Sequence, residues 1–357
     1  MISGKALEEY LETGAIPGGP LTVHIDITNK CNLNCVTCWN YSPYLAGAKD
    51  PAWKKLELSL DVFREITADL RSINVKKLII SGGGEPFTHE GIYSMISEAN
   101  AARFDVTVIT NALLIDVEKL LADPPGKLLV NLCAADAETY VKFHPNRQEN
   151  DFDALCRNLK EINRQVPLNL AMVISNINYF EVAAAARLAA GFPRVRLSFK
   201  PAALTPGTQR FALSEEQEQE LLNREIPRCR EICRENGIEN NLDVFESQIR
   251  PLTFNFSKSK NSRLPGSGSN LEYPIRETGC FAGLFYSRIY TTGEVFFCCA
   301  HIKVGSIFEQ PFSQIWQGEA YNKVRTLMDR KEFFPGCKTC GKYNLNFKAR
   351  QFIEEHL

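Results

Sequence analysis

Three cysteines near the start of the chain are close enough in sequence to share one metal centre. Cys31, Cys35 and Cys38 have the spacing C-x3-C-x2-C and follow an apolar, strand-like run from Thr22 to Thr28. Three neighbouring thiolates can bind three irons of a cubane 4Fe-4S cluster, which normally takes four cysteines. The fourth iron would then stay open to a reactant, as one position stays open on a catalytic zinc ion.

A zinc knuckle, a disulfide framework and chance spacing are the alternatives for these cysteines. Zinc sites usually gain further ligands soon after the first pair, as a second C-x2-C or an H-x3-H pair. No such pair follows within the next 90 residues. The spacing therefore favours an iron-sulfur cluster over these alternatives.

A glycine-rich turn follows the second apolar run of the chain. Residues 81–86 read Ser-Gly-Gly-Gly-Glu-Pro. Glycines let a ligand approach the backbone, and a carboxylate can accept a hydrogen bond from an ammonium group. A tight turn between a strand and a helix, or a weak phosphate loop, would have the same composition.

Together, the two motifs resemble those of the radical S-adenosylmethionine (SAM) enzymes. The form Cys-Asn-Leu-Asn-Cys after a first strand is typical of that family, and Gly83, Gly84 and Glu85 match its Gly-Gly-Glu-Pro element. The resemblance implies that the open iron binds the amino and carboxylate groups of SAM, with Gly83, Gly84 and Glu85 at the methionyl amino group. It also implies reductive cleavage of SAM to a 5'-deoxyadenosyl radical, which removes hydrogen from a substrate.

Later strand ends carry further residues that resemble the SAM contacts of this family. Thr110-Asn111-Ala112 resembles its Thr-Asn-Gly element, and Cys133 replaces a carboxylate that many relatives carry. Thr37 stands where relatives often have an aromatic residue near the adenine. The SAM contacts implied beside the glycine turn are Thr37, Trp39, Asn111, Asn131 and Ser175.

A second group of cysteines lies in the C-terminal region. Cys280 and Cys298 have the spacing C-x12-G-x4-C, and Cys337 and Cys340 form a C-x2-C pair. Four cysteines in two pairs can complete one closed iron-sulfur cluster, although the pairs alone suit zinc better. Cys299 could take the place of Cys298.

The C-x12-G-x4-C spacing resembles the SPASM or shortened twitch extension of radical SAM enzymes, which carries auxiliary clusters. No cysteine follows Cys340. We therefore expect two 4Fe-4S clusters in all, one that binds SAM and one auxiliary cluster held by Cys280, Cys298, Cys337 and Cys340. The remaining thiols are interpreted as buried small residues, namely Cys133, Cys156, Cys229 and Cys233.

Composition narrows the class and the location of the protein. The chain has 357 residues, 44% hydrophobic and 23% charged, with a formal net charge of -1. This charge gives no support for nucleic-acid or membrane-surface binding, and no apolar run approaches the roughly 20 residues of a membrane span. Twelve cysteines without an export signal predict metal or redox chemistry in the cytoplasm.

Strand-like and helical patterns alternate through the first two thirds of the chain and predict an α/β fold with parallel strands. The resemblance implies a partial (β/α)6 barrel, similar to a TIM barrel, with a small C-terminal SPASM or twitch domain. The predicted strands are 22–28, 75–81, 105–110, 127–133, 167–175 and 194–201, and the predicted helices are 60–72, 91–103, 116–122, 152–164, 179–190 and 214–236. The predicted segments are an N-terminal helix over 1–19, a core over 20–242, a linker or mobile loop over 243–279 and the cluster domain over 280–357.

Substrate-binding residues are harder to predict. Strand alternation places Arg196, Ser198 and Lys200 on one face, either towards the barrel interior or at a solvated edge. Arg196 and Lys200 are therefore candidate catalytic residues, and His24 and Asp26 are further candidates for the interior. Trp316 follows a helical apolar spacing and is interpreted as a core residue.

A closed auxiliary cluster leaves no iron for substrate and would act as an electron acceptor. We therefore expect oxidation of a small polar metabolite (a sugar, an aminocyclitol or an amino acid-like molecule), with an architecture most similar to that of the butirosin aminocyclitol dehydrogenases. The alternatives are a ribosomal-peptide maturase and a non-catalytic zinc protein; only thirty residues precede Cys31, too few for the leader-binding domain that such maturases often carry. The resemblance implies a flavodoxin or ferredoxin-type reductant and a small-molecule or peptide substrate.

Overall fold

The computed structural model describes residues 18–249, 275–298 and 302–356. Residues 1–17 of the predicted N-terminal helix and 250–274 of the predicted linker lie outside this range, as does Cys299. The division into four segments stays a prediction.

A nine-stranded sheet forms the framework, in the order β6-β5-β4-β3-β2-β1-β7-β8-β9. Every pairing from β6 to β7 is parallel, and β8 and β9 add on in antiparallel fashion. The strands are β1 (Thr22–Thr28), β2 (Lys77–Gly82), β3 (Asp105–Thr110), β4 (Lys127–Asn131), β5 (Leu168–Ile174), β6 (Val195–Pro201), β7 (Tyr286–Ile289), β8 (Glu294–Phe296) and β9 (Lys303–Ser306).

Helices connect successive parallel strands, as parallel pairing requires. The described α-helices are Leu60–Ser72, Ile92–Ala101, Val117–Ala122, Ala137–Phe143, Glu149–Ile162, Val182–Ala189, Glu215–Glu220, Ile226–Glu235, Ile275–Thr278, Ala282–Phe285, Phe312–Gln317, Glu319–Asp329 and Tyr343–His356, and residues 242–249 are also helical. The α/β class is confirmed, and the six predicted strands are present. The predicted helix over 214–236 contains a π-helical turn at Leu221–Glu225, and Ala137–Phe143 was not predicted.

Alternation along β1 separates the core from the barrel interior. Val23, Ile25 and Ile27 are fully buried in the same apolar core as Phe63 and Leu70 of the first described α-helix. Successive strand residues point to opposite faces, so His24 and Asp26 point away from those helices. Strand β1 thus positions both the loop that carries the first three cysteines and the polar side chains of the barrel interior.

The C-terminal strands belong to the same sheet as the first six. In β7, Tyr286 pairs in register with Thr22 of β1, and Arg288 pairs with His24. Partners in register share a face of the sheet, so Tyr286 and Arg288 lie on the interior side with His24. The C-terminal region is therefore joined by β7 to the strand that leads into the first cysteine loop.

Trp316 is fully buried, as its helical spacing predicts. Its indole Nε1 donates to the Gly18 carbonyl at 2.9 Å. The Arg325 guanidinium lies over the ring at 4.3 Å, and the Tyr321 ring packs edge-on at 4.5 Å. This packing connects the C-terminal helices to the beginning of β1.

Among the described residues, no helix combines the length and the apolar character that crossing a bilayer requires.

Truncation of Trp316 tests this packing. We expect Trp316→Ala to lower the free energy of unfolding by about 3–5 kcal/mol, because a large buried aromatic residue is lost and a cavity remains. Urea denaturation of the cluster-loaded protein measures the change. The control Phe180→Ala removes a ring that is 43% exposed and should change stability by less than about 0.5 kcal/mol. Equal stability of the two variants would contradict the assignment of Trp316 to the core.

Candidate active site

The loop that follows β1 gathers the first three cysteines. The amide of Cys38 donates to the carbonyl of Cys35 at 3.0 Å, which makes the loop a tight turn. The sulfur of Cys31 accepts from the Leu33 amide, and that of Cys38 accepts from the Asn40 amide, both at 3.4 Å. Backbone donors therefore already point at two of the three sulfurs.

Burial and neighbouring charges raise the pKa values of two of the three thiols. Burial raises the pKa of Cys35 well above its ordinary value, and the charges of Cys38 and Cys31 raise it further. Burial also raises the pKa of Cys31 to about 12, with further contributions from Glu85 and Cys38. Three half-buried thiols in one loop suit three irons of a cluster, whose binding would release their protons.

Side chains from distant loops fix the backbone between these cysteines. The Asn32 carbonyl accepts from Asn146 Nδ2 at 2.9 Å and from Arg147 Nη2 at 2.5 Å. The Asn32 side chain accepts from Asn111 Nδ2 at 2.8 Å. Asn111, predicted as a SAM contact, thus directly supports the cysteine loop.

The glycine turn after β2 packs against the backbone that leads into the cysteine loop. The Glu85 amide donates to the Lys30 carbonyl at 2.7 Å, and Asn40 Nδ2 donates to the Gly83 carbonyl at 2.8 Å. A Cβ atom at Gly84 would lie 1.9 Å from the Lys30 carbonyl oxygen. Glycine is therefore required at position 84 for the two loops to meet.

Glu85 is a buried carboxylate that joins the ends of β2 and β3. Its Oε1 accepts from the Phe87 amide at 3.1 Å and from the Thr110 hydroxyl at 2.6 Å. Its Oε2 accepts from the Asn111 amide at 2.7 Å. Burial raises the pKa of Glu85 to about 7, and these hydrogen bonds oppose that rise because they stabilise the ionised form.

The other predicted SAM contacts surround the mouth of the barrel. Thr37 and Ser175 are buried, and the Ser175 hydroxyl accepts from the Ile177 amide at 3.3 Å. Asn131, at the end of β4, is half-buried and accepts from the Cys133 thiol at 3.3 Å. Trp39 is 45% exposed and donates to the Ala203 carbonyl at 2.6 Å. Their role in SAM binding stays a prediction.

The two basic residues of β6 lie at different levels of the strand. Arg196 pairs with the exposed Glu239 at 3.6 Å, while Lys200 is exposed four residues further along. In register, Arg196 pairs with Asn169 and Lys200 with Val173. The structure thus places Arg196 at a solvated ion pair, and neither residue contacts the cysteine loop through a described hydrogen bond or ion pair.

The four C-terminal cysteines line one cavity. Cys280, Cys298, Cys337 and Cys340 line this cavity together with Lys342, Asn346 and apolar residues. Burial raises the pKa of Cys280 to about 12, and the charges of Cys340 and Cys337 add to this rise. Four thiols around one cavity are the ligand set of a closed 4Fe-4S cluster and equally that of a structural zinc ion.

Interior polar residues of β1 and β7 form a cluster that the sequence did not reveal as a unit. Arg288 donates to both oxygens of Asp26 at 2.8 to 3.1 Å. The Tyr286 hydroxyl and His24 Nδ1 lie 2.9 Å apart, and Lys342 Nζ lies 3.4 Å from the centre of the Tyr286 ring. Arg288, Tyr286 and Lys342 carried no sequence signal, because only the pairing of β1 with β7 brings them to His24 and Asp26.

Two family models match this chain. The radical SAM superfamily model matches residues 25–189, and the iron-sulfur cluster-binding domain model (SPASM) matches residues 280–341. The first match begins within β1 and covers the cysteine loop, the glycine turn and β2 to β5; the second covers the four C-terminal cysteines.

The proteins that are similar to this chain carry different enzyme names. An AdoMet-dependent heme synthase of Methanosarcina barkeri is 26% identical over 333 residues, which cover 91% of this chain and 90% of the relative. A PqqA peptide cyclase of Bradyrhizobium diazoefficiens is 30% identical over 119 residues, 33% of this chain and 29% of the relative. The structure of Streptococcus suis SuiB bound to S-adenosylmethionine aligns with 96% of this chain and 77% of SuiB, with a TM-score of 0.65 and 16% identity.

This chain therefore contains a radical SAM domain followed by a SPASM iron-sulfur cluster-binding domain. The first domain implies SAM and a 4Fe-4S cluster, and the second implies further iron-sulfur ligation. The expected special similarity to aminocyclitol dehydrogenases is not shown: BtrN, solved with AdoMet and 2-DOIA, is one of several neighbours, with a TM-score of 0.47 and 12% identity.

A pair of glycine substitutions tests whether the contact of Gly84 with Lys30 is needed for the first cluster. We expect Gly84→Ala to reduce iron from about eight to about four per chain and to abolish SAM binding, because the added methyl group displaces the backbone before Cys31. Iron analysis and equilibrium dialysis of anaerobic protein measure both effects. Gly47→Ala, where a Cβ meets nothing within 4 Å, should leave both unchanged. Full iron and SAM binding in Gly84→Ala would refute the requirement for glycine.

Proposed function

We propose that this protein is a radical SAM oxidoreductase that removes two electrons from a small polar metabolite and passes one of them to an auxiliary 4Fe-4S cluster. The observation that supports this best is the cavity lined by Cys280, Cys298, Cys337 and Cys340. Four protein thiols satisfy all four irons of a cubane. A cluster closed in this way has no position for substrate and serves electron transfer.

The first domain supplies the other half of the reaction. SAM bound at the reduced first cluster supplies the radical that removes a hydrogen atom from substrate. In our proposal Cys31, Cys35 and Cys38 hold that cluster, and Gly83, Gly84 and Glu85 receive the methionyl amino group. Asn111, Asn131, Ser175, Thr37 and Trp39 complete the SAM site at the mouth of the barrel.

The range of relatives supports a small-molecule substrate more than a peptide. The heme synthase is similar along nine tenths of its length, whereas the peptide cyclase is similar over less than a third of its own. A peptide maturase remains the second candidate, favoured by that local similarity of 30% identity. An external flavodoxin or ferredoxin-type protein is the proposed reductant, and the cytoplasm is the proposed location.

Isotope transfer tests the proposed reaction. Metabolites from cells grown in deuterated medium are separated by size and incubated anaerobically with the reduced enzyme and SAM. We expect deuterium in 5'-deoxyadenosine with the small-molecule fraction only. Deuterium from the peptide fraction alone would favour the peptide maturase. Deuterium recovered in SAM would show that SAM is regenerated and would contradict the proposed oxidation.

Substitution of one auxiliary cysteine distinguishes the roles of the two clusters. Cys280→Ala should lower iron from about eight to about four per chain and abolish product formation, while slow SAM cleavage continues, because the electron acceptor is lost but the first cluster is not. Iron analysis and chromatography of 5'-deoxyadenosine measure these effects. The matched variant Cys156→Ala removes a half-buried thiol outside both groups and should behave as the native protein. Product formation by Cys280→Ala at the native rate would contradict the proposal.

The pKa of Glu85 predicts a pH dependence of SAM binding. The carboxylate is ionised above about pH 7, so SAM affinity should rise as the pH increases through this value. Thr110→Val removes a donor to the ionised form and should move the midpoint upward by about one pH unit, since a hydrogen bond to a charged group contributes about 1.5 kcal/mol. Binding titrations measure the midpoint. Thr107→Val, on the same strand, should leave it unchanged, and a common midpoint for both variants would disprove the role of Glu85.

A further inference from the structure

A continuous set of contacts leads from the four-cysteine cavity into the barrel interior. Lys342 lines that cavity, and its Nζ lies 3.4 Å from the centre of the Tyr286 ring. Tyr286 is fully buried in β7. One aromatic ring therefore separates the wall of the auxiliary site from the interior residues of β1.

The next two contacts lie on the interior face of the sheet. The Tyr286 hydroxyl and His24 Nδ1 are hydrogen-bonded at 2.9 Å, and His24 Nε2 lies 3.4 Å from Asp26 Oδ1. Asp26 pairs in register with Ser81, the first residue of the glycine turn. The chain of contacts thus ends beside the strand that leads into the glycine turn.

The His24 imidazole is neutral and can therefore gain a proton. Burial lowers the pKa of His24 well below its usual value, and the positive charges of Arg288 and Lys342 lower it further. The polar groups that face it are Tyr286, Asp26, Arg288 and Lys342. Arg288 binds both oxygens of Asp26, so the carboxylate is fixed beside the imidazole and its charge is already paired.

We propose that His24 takes up a proton when the auxiliary cluster is reduced, and that Tyr286 is the positioning residue that connects the two sites. The inference rests on the proposed function for the origin of the electron. The two-electron oxidation of the substrate is then balanced. The radical removes one hydrogen atom, His24 accepts one proton, and the auxiliary cluster accepts one electron. The proton and the electron leave the substrate through the same wall of the barrel.

The physical cause is charge compensation. Reduction adds one negative charge to the auxiliary cluster, and in a buried site that charge favours a cationic imidazole nearby. Protonated His24 would also gain an attraction to Asp26, whose oxygen is already at 3.4 Å. His24 would therefore hold its proton more tightly in the reduced protein than in the oxidised protein.

Redox titration of the cluster-loaded protein tests this proposal without any substrate. The auxiliary signal, identified by its loss in Cys280→Ala, is followed by electron paramagnetic resonance from about pH 5 to pH 8. We expect its midpoint potential to fall as the pH rises, by up to about 59 mV for each tenfold change in proton activity, the conversion for one electron. The slope should disappear in His24→Gln and become much smaller in Tyr286→Phe, which keeps the ring.

A matched histidine controls for general effects of substitution. His89 bonds the Leu58 carbonyl at 3.0 Å in the loop after the glycine turn, so His89→Gln should keep the native slope. A flat potential in the native protein, any slope in His24→Gln, or a slope of native size in Tyr286→Phe overturns the proposal. Either result would leave the isotope-transfer test untouched, so failure of the relay is distinguishable from failure of the oxidation.

Discussion

The pairing of β1 with strands on both of its sides is the constraint on which the rest of the structure depends. On one side β2 brings the glycine turn beside the cysteine loop, and on the other side β7 brings the C-terminal region into the same sheet. Both pairings are parallel, so the carboxyl ends of the strands face the same way. The proposed SAM site and the approach to the auxiliary site thus share one rigid strand.

The buried charged side chains of this structure connect neighbouring strands. Asp26 and Arg288 come from β1 and β7 and form a bidentate pair with little exposure. Such pairs contribute little net stability, because desolvation costs about as much as the attraction returns. Their geometry is nevertheless specific, and here it fixes the relation of β7 to β1. The Glu85 carboxylate likewise fixes the end of β2 relative to the end of β3, because it accepts three hydrogen bonds there.

The first cysteine loop is held by backbone contacts more than by its own side chains. Lys30 and Asn32 are fixed through their carbonyl groups by Glu85, Asn146 and Arg147. This arrangement leaves the thiols available for metal and provides backbone amides close to two sulfurs. Amide donors of this kind tune the reduction potential of iron-sulfur clusters.

Much of the fold was predictable because its signals are local. Apolar strand-like runs that alternate with helical patterns identified all six strands of the core. The short helix Ala137–Phe143 was not predicted. The π-helical turn at Leu221–Glu225 has no sequence signature that distinguishes it from a regular helix.

The sequence by itself determined the class of chemistry, because cysteine spacing decides which thiols can share a cluster and glycine allows two backbones to touch. Only the tertiary structure decided which distant groups meet. Arg288 reaches Asp26 and Tyr286 reaches His24 across 262 residues of chain. No local pattern encodes such contacts, since they follow from the pairing of β7 with β1, and that pairing is selected by the packing of the whole sheet.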